Sequence, residues 1–471
     1  MKKRSLVISA LAALVTAGIL AGCGNNYYFA GRVLPPSALA NRVLIAVQNP
    51  SPSTRGFLQF VDGFYDIRQN YRDTIPSFSI SGYSGALPVT IQNLPEEQIG
   101  VVYGAGDGSF TAISYAKENA IGSAASLTTP SASIFMSRNQ AWVIAASQLT
   151  HTLTVFDKSS NRSYSLGLPG VYRVSMNPGG TVMMAFVENS NLAYYPRKLQ
   201  ASEITQYSGG PAHWPVNAVD CEPQNLPGMC LFQVGDSNGN PYTYFDRPTK
   251  AIFSADGSQA YILNCGPECG GTKAGITVLP TAPFIVNSGQ QSGTIPSEPT
   301  TISVPGGASN ALLDSQTLYV IGQQLQPDGL FAGNLTLVNL ANDSAGTPIS
   351  ISDAAPGQRT RMILADDNTL WIGGIRCTQG ERFATGKSYG CLTMFNTASQ
   401  TVTLIEPFQG DLTGIASLTG LHKIYIAEGG QVYIYSTRDG HAINNFYVTV
   451  TGTAYDVAYM DGLSDGNNTV Y

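Results

Sequence analysis

Residues 249–280 read TKAIFSADGSQAYILNCGPECGGTKAGITVLP and contain three short strand patterns. The first, AIFSA, leads into the tight-turn pair Asp256-Gly257, and the second, QAYILN, is apolar and rich in β-forming residues. The third, GITVLP, follows a glycine-rich loop. This stretch therefore predicts three β-strands joined by short connections.

The same pattern recurs along most of the chain, at intervals that lie within the range of known structural repeats. Eight apolar second strands can be counted, at residues 42–47, 98–103, 141–145, 182–187, 259–264, 317–321, 369–372 and 423–427. No first strand precedes Arg42, whereas the chain ends on a first strand, residues 454–460, with nothing after it. The two orphan segments can complete each other, because their pairing would close a ring of sheets and leave no open edge.

The predicted fold is therefore all-β: a single β-propeller of eight four-stranded blades, closed by pairing of the N- and C-terminal strands. Seven blades are the alternative if residues 87–115 do not form a blade. We place the propeller at residues 42–462, with an insertion at about 196–247. Residues 463–471 are expected to be a frayed tail.

The repeat FSADGSQAYILN, followed by the ITV strand, resembles the YVTN-type β-propeller repeat of secreted bacterial proteins. The resemblance covers nearly all of residues 42–462 and implies the propeller fold. Its family spans lactonase-like enzymes, surface-layer proteins and binding scaffolds, so it leaves the function open.

The N-terminus has the pattern of a secretory leader, with a cationic start, Met1–Arg4, and an apolar segment, Leu6–Leu20. The sequence Leu20-Ala21-Gly22-Cys23 resembles the lipobox of bacterial lipoproteins. That resemblance implies a signal peptide at 1–22, acylation of Cys23 (palmitate included) and a lipidated tether at 23–41. Gly24, where an Asp would signal inner-membrane retention, favours the outer membrane over the inner membrane.

Six cysteines remain after Cys23, and they lie in three local pairs. In an oxidising compartment this even number predicts three disulfides, Cys221–Cys230, Cys265–Cys269 and Cys377–Cys391. Zinc is the alternative, but no pair has the C-x-x-C spacing and no histidine is close in sequence.

Charge argues against nucleic acid as a partner. The net charge is −6, and it becomes −9 when Lys2, Lys3 and Arg4 leave with the leader. No block of Lys or Arg follows the leader.

Few residues suggest a ligand site. His213 and Trp214, in the insertion, could contact a ligand, since an aromatic residue in a loop can stack on a sugar or anchor a partner. Asp236, Asn238 and Asn240 have the alternating oxygens of a calcium loop. However, Pro241 stands where the loop needs Gly and Arg247 where it needs Glu, so an ordinary Asx turn is the competing interpretation.

The four histidines are scattered and form no metal-binding or catalytic spacing. We therefore expect a monomeric, lipid-anchored, non-catalytic scaffold of the cell envelope that binds protein or glycan and needs no cofactor. The alternatives are a propeller enzyme of lactonase or glycan-lyase type, with groups converging from several blades at the channel, and an outer-membrane assembly factor.

Overall fold

A computed structural model describes most of the chain after residue 30. The described residues are 31–49, 51, 54–66, 78–122, 124–127, 129–131, 133–222, 228–236, 238–287, 289, 294–352, 358–376, 392–404, 410–448, 450–466 and 468–469. They form eight antiparallel sheets, each corresponding to one repeat of the sequence. The prediction of an eight-bladed β-propeller is confirmed, and residues 87–115 do contribute a blade.

We number the blades I to VIII. The strands of blades I to IV are, in blade I, β1 (Arg42–Gln48) and β2 (Phe57–Asp62); in blade II, β3 (Pro88–Leu94), β4 (Ile99–Gly104), β5 (Ser109–Ser114), β6 (Asn119–Ala120) and β7 (Ala125–Ser126); in blade III, β8 (Ser133–Met136), β9 (Trp142–Ser147), β10 (Thr152–Asp157) and β11 (Arg162–Gly167); and in blade IV, β12 (Val171–Met176), β13 (Met183–Val187), β14 (Ala193–Lys198), β15 (Ala218–Glu222) and β16 (Met229–Gln233).

The strands of blades V to VIII are, in blade V, β17 (Pro248–Phe253), β18 (Gln259–Asn264), β19 (Gly275–Pro280) and β20 (Thr300–Ser303); in blade VI, β21 (Asn310–Asp314), β22 (Thr317–Leu325), β23 (Phe331–Asn339), β24 (Ser344–Ala345) and β25 (Ile349–Ser352); in blade VII, β26 (Gln358–Ala365), β27 (Thr369–Ile375), β28 (Leu392–Asn396) and β29 (Thr401–Leu404); and in blade VIII, β30 (Leu412–Leu418), β31 (Lys423–Glu428), β32 (Gln431–Ser436) and β33 (Ala442–Val448). The last strand, β34 (Thr453–Tyr459), belongs to blade I.

The ring is closed by the two ends of the propeller, as predicted. Strand β34 pairs antiparallel with β1, with Val43 opposite Tyr459 and Val47 opposite Ala454. Blade I therefore has the order β2-β1-β34, and β34 is its inner strand. Val43, Ile45 and Val47 are fully buried, because β1 is covered on both faces by neighbouring blades.

Blade IV departs from the predicted four strands. Its order is β12-β13-β14-β16-β15, so the segment expected as an insertion supplies two outer strands. Lys198 still lies in β14, whereas the short helix α1 (Ala201–Tyr207) lies outside the sheet. The apolar run Met229–Phe232 explains the difference, because it is largely buried as strand β16.

Two of the three predicted disulfides are confirmed. Cys221–Cys230 joins β15 to β16, and Cys265–Cys269 closes a short turn after β18. Cys377, Cys391 and Cys23 lie outside the described residues, as does the predicted signal peptide at 1–22.

The described end of the predicted tail is not frayed, contrary to expectation. Thr469 is buried, and its backbone N–H donates to Met362 O of the inner strand β26 at 2.9 Å. Asn468 forms a bridge with Ile363 of the same strand. Asn468 and Thr469 therefore lie against an inner strand, where backbone pairing holds them. Within the described part of the chain, no helix is long and apolar enough to cross a membrane.

Candidate functional site

The inner strands share a local irregularity at their N-terminal ends. Five of them carry a β-bulge against their neighbour, and β34 carries one against β1. The extra residues are Val89, Tyr172, Thr249, Thr360, Thr413 and Tyr455. A bulge changes the direction of the side chains beside it and is common next to functional sites.

One residue from each inner strand occupies the position after the bulge, or the first paired position where no bulge occurs. We call these eight residues the channel ring: Thr90, Ser133, Arg173, Lys250, Asn310, Arg361, Gly414 and Asp456. The ring contains three cations and one carboxylate, within a chain whose net charge is −6.

Several ring residues link one blade to the next. The Lys250 amine donates to Asn310 Oδ1 at 2.9 Å, and the Asn310 amide donates to Thr360 O at 2.9 Å. Ser133 Oγ accepts from the backbone N–H of Val174 at 3.2 Å. These hydrogen bonds join blade III to blade IV, and they join blades V, VI and VII to one another.

An ion pair occupies the opposite side of the ring. Arg361 Nη2 lies 3.2 Å from Asp456 Oδ1, and both side chains are almost fully buried. Asp456 Oδ2 also accepts from the backbone N–H of Ile91 at 2.8 Å. Burial raises the pKa of the Asp456 carboxyl, and the Arg361 charge opposes that shift. The only carboxylate of the ring is therefore already paired.

The ring needs glycine at position 414. A Cβ there would lie 2.6 Å from both Cα and Oδ1 of Asp456. Gly414→Ala should therefore destabilise the protein by about 1–3 kcal/mol through overpacking. Gly179→Ala is the matched control, because its Cβ would meet only Thr181 Cγ2 at 4.0 Å. Urea denaturation of both variants tests this prediction, and equal midpoints would contradict it.

A cavity of about 140 Å³ opens beside the cationic part of the ring. We call it the mouth cavity; its lining residues are Ser133, Tyr172, Arg173, Val174, Lys250, Ser309, Asn310, Arg359 and Thr360. Three of the lining side chains are cationic, and none is a carboxylate. The Arg173 guanidinium lies 5.3 Å from the centre of the Tyr172 ring and donates to Ser309 O at 3.3 Å. Aromatic stacking and this hydrogen bond hold the guanidinium at the cavity.

Burial has a large effect on the lysine. Burial, together with the smaller effect of the Arg173 and Arg361 charges, lowers the pKa of Lys250 from 10.5 to about 7. Burial also lowers the pKa of Arg359 to about 10, opposed by the charge of Glu268. An anion in the mouth cavity would relieve the repulsion among these cations.

The charge of the Glu268 carboxylate acts on two cations of the mouth cavity, Arg173 and Arg359, and the Cys265–Cys269 disulfide restrains the turn that carries it. Its carboxylate accepts from the backbone N–H of Gln323 at 2.8 Å and from the Gln323 side chain at 3.1 Å. Burial raises its pKa, while Arg173 and Arg359 act in the opposite direction. Glu268 thus offsets part of the positive charge without lining the cavity.

The sequence-predicted ligand residues lie elsewhere. Trp214 packs against a small apolar cluster that includes Leu199, Tyr207 and Phe232, so it fixes its own loop, whereas His213 is exposed. Their contact with a ligand stays a prediction.

The predicted calcium residues form a local turn. Asp236 Oδ1 accepts from the backbone N–H of Asn238 and of Asn240, each at 2.9 Å, and Oδ2 accepts from the Asn240 side chain at 2.9 Å. This geometry is that of an Asx turn. Among the described residues, no group of three or more His, Cys, Asp or Glu side chains is placed to hold a metal ion.

Sequence reasoning missed the channel ring. Arg173 and Lys250 each lie four residues before the polar residue that opens the first turn, Asn177 and Ser254. A charged residue at this fixed place in an otherwise apolar first strand is the signal that could have revealed it. Aligning the repeats on their turns would have brought these positions together.

The comparisons with known proteins bear on the fold alone. No protein-family model and no curated protein matches this sequence. Among solved structures, the chain is similar to the dihydro-heme d1 dehydrogenase NirN in complex with DHE, with a TM-score of 0.50, 10% identity, and coverage of 89% of this chain and 75% of that one.

Two further similar structures have lower TM-scores. Apo AztD from Citrobacter koseri has a TM-score of 0.46 and 12% identity, and the match covers 89% of this chain and 97% of that one. The Kuenenia stuttgartiensis hydrazine synthase has a TM-score of 0.44 and 12% identity, and the match covers 82% of this chain and 95% of that one. The similarity to NirN bears on the fold alone, and at 10% identity it leaves the function of this chain undetermined.

Proposed function

We propose that this chain is a binding propeller of the cell envelope whose channel takes a small organic anion in the mouth cavity. The observation that carries the proposal is the convergence of Arg173, Lys250 and Arg359 on one cavity in an acidic chain. Convergent charged groups in a concave site with a perturbed pKa are typical of a ligand site.

The proposal keeps the non-catalytic role expected from the sequence and changes the ligand. The insertion was expected to contact protein or glycan, but Trp214 is engaged with its own loop. The mouth cavity instead offers guanidinium and amine donors, which suit carboxylate or phosphate oxygens. The lipobox pattern supports an anchor at Cys23, which would hold the channel close to a membrane, with the outer membrane favoured.

An enzyme is the second candidate, and one observation favours it. A lysine whose pKa is about 7 is partly neutral near neutral pH, and a neutral amine can act as a base or nucleophile. Incubation with the bound anion separates the two roles. A binding protein returns the anion unchanged, whereas an enzyme converts it in many turnovers.

The test is calorimetric titration of the protein with acetate, succinate, citrate and phosphate at pH 6.5. Lys250→Met and Arg173→Met should each weaken binding of the best of these anions about tenfold or more, because each removes a charged hydrogen-bond donor. Lys158→Met is the matched control, since this lysine is exposed on blade III outside the mouth cavity. Binding that is equal in all four proteins would refute the proposal.

The same titration has an expected pH dependence. Affinity should fall as the pH rises above about 7, by up to tenfold per pH unit, because the neutral Lys250 amine no longer attracts the anion. In Lys250→Met, the affinity for acetate, which stays ionised throughout this range, should change little between pH 6 and 8.

A further inference from the structure

Lys250 borders two cavities of different character. On one side is the mouth cavity. On the other side is a larger cavity of about 390 Å³, which we call the chamber. The apolar side chains of the chamber wall are Leu94, Phe135, Met176, Ile252, Phe253, Leu312 and Leu313, with Pro178, Ala251, Ala255 and Ala311 beside them.

Most of the polar lining of the chamber is engaged in holding the propeller together. Gln92 Oε1 accepts from the backbone N–H of Met136 at 2.9 Å, so it links blade II to blade III. The Asn93 amide donates to Tyr459 O at 2.9 Å. Thr469 Oγ1 accepts from Met362 N at 2.9 Å. These polar groups therefore belong to the wall and leave the chamber with an apolar interior.

Three charged or titratable side chains face the chamber. Arg138 is half exposed and lies 3.6 Å from Glu96, so it belongs to the solvent-facing rim. Asp465 is in the C-terminal segment, and burial together with the nearby Glu96 raises its pKa to about 7. The raised pKa favours the neutral form of the Asp465 carboxyl and so reduces its repulsion of an anion. The third is Lys250, where the chamber meets the ring.

We infer that the ligand of this channel is an amphiphilic carboxylate, with its carboxylate at Lys250 and its aliphatic or aryl body in the chamber. This inference rests on the proposed function, which supplies the anion site, and adds the nature of the rest of the ligand. The chamber walls favour an apolar occupant, because their apolar surface is otherwise left in contact with water. Lys250 supplies the complementary charge at the inner end.

The experiment uses straight-chain carboxylates from acetate to octanoate, below their micellar concentrations, in calorimetric titrations of the protein at pH 6.5. Each added methylene that enters the chamber should tighten binding about threefold to fourfold, until the chamber is full. Straight-chain alcohols of the same lengths are the uncharged controls, and they should bind more weakly than the carboxylates by about tenfold or more. In Lys250→Met, this preference for the carboxylate should disappear.

Two variants test where the apolar body lies. Ile252→Trp puts a larger side chain at a half-buried position of the chamber wall, and Leu313→Gln makes another half-buried position polar. Each should reduce the octanoate-to-acetate affinity ratio by at least tenfold. Circular dichroism verifies folding, and either folded variant alone suffices for the test.

The outcomes separate this inference from the proposed function. Lys250-dependent acetate binding with no gain on chain lengthening would overturn the chamber inference alone. If the affinity still rises from acetate to octanoate in a folded Ile252→Trp or Leu313→Gln variant as it does in wild type, the chamber inference is overturned too. The apolar body of the ligand would then lie outside the chamber. Equal affinity for carboxylates and alcohols would overturn the pairing with Lys250. Failure of every anion to bind would overturn both proposals.

Discussion

Replacing Arg42 by Leu is expected to lower the free energy of unfolding by about 3–5 kcal/mol, because it leaves buried carboxylates without their counter-charge. Arg42 has no solvent exposure. Its guanidinium lies 2.7 Å from Asp461 Oδ1 and 2.7 Å from Glu118 Oε1. Its Nη1 also donates to Tyr115 O at 2.7 Å.

The position of Arg42 in the chain makes this effect large. Arg42 opens β1, Asp461 follows β34, and Glu118 belongs to blade II, so one side chain ties together both ends of the ring and the next blade. Loss of the Arg42 ion pairs therefore weakens the pairing of β1 with β34 that closes the propeller ring. Hydrogen exchange should therefore increase most in β1 and β34.

The measurement is the urea midpoint of Arg42→Leu against wild type, with Arg162→Leu as the control. Arg162 is exposed at the start of the edge strand β11, so its loss should change stability by less than about 0.5 kcal/mol. If Arg42→Leu loses no more stability than this control, the ion-pair cluster does not contribute to closure.

The closure itself could be predicted from the sequence. An apolar strand at Ala454–Met460 with no strand after it, and a strand pair at Arg42 with none before it, are local patterns that sequence periodicity makes visible. Two disulfides could be predicted for a similar reason, because each joins cysteines close in the chain. The fold thus follows from features that lie within one repeat or at its ends.

The channel ring could not be predicted in the same way. Asp456 and Gly414 come from different blades, and their fit depends on the distance between two inner strands. The bulge residues, such as Tyr172 and Thr249, are ordinary strand formers and carry no sequence signal of their own. The position of the C-terminal segment also depends on tertiary pairing with β26.

Lys250→Met should make the fold more stable than wild type, by about 2–3 kcal/mol at pH 6. The pKa of Lys250 is about 7 in the folded protein, where burial and the charges of Arg173 and Arg361 disfavour the ammonium form. In the unfolded chain it is about 10.4. Converting the whole pKa shift of Lys250 into free energy would give a larger gain in stability. The expected gain is smaller because water in the adjoining cavities screens the charge, and because the variant also loses the hydrogen bond to Asn310.

The gain should depend on pH in a definite direction. Below pH 7 the lysine is protonated in both states, so the cost of the buried charge is fully present in the folded wild type. Between pH 7 and 10 the unfolded chain holds a proton that the folded protein lacks, so wild-type stability from this group rises with pH. The advantage of Lys250→Met should therefore shrink steadily and nearly vanish by about pH 10. The urea midpoints of wild type and Lys250→Met at pH 6, 8 and 9.5 measure this difference in stability, with Lys158→Met as the control.

This result would distinguish a functional lysine from a structural one. A lysine that serves only to link blades V and VI through Asn310 should destabilise the propeller when it is removed. A lysine retained for a ligand costs stability in the empty protein, and the bound anion restores that stability by mass action. Addition of the best-binding anion at pH 6.5 should therefore raise the urea midpoint of wild type clearly more than that of Lys250→Met, which binds the anion about tenfold more weakly. Destabilisation by Lys250→Met at pH 6 would assign Lys250 to the scaffold and remove the main support for an anion site.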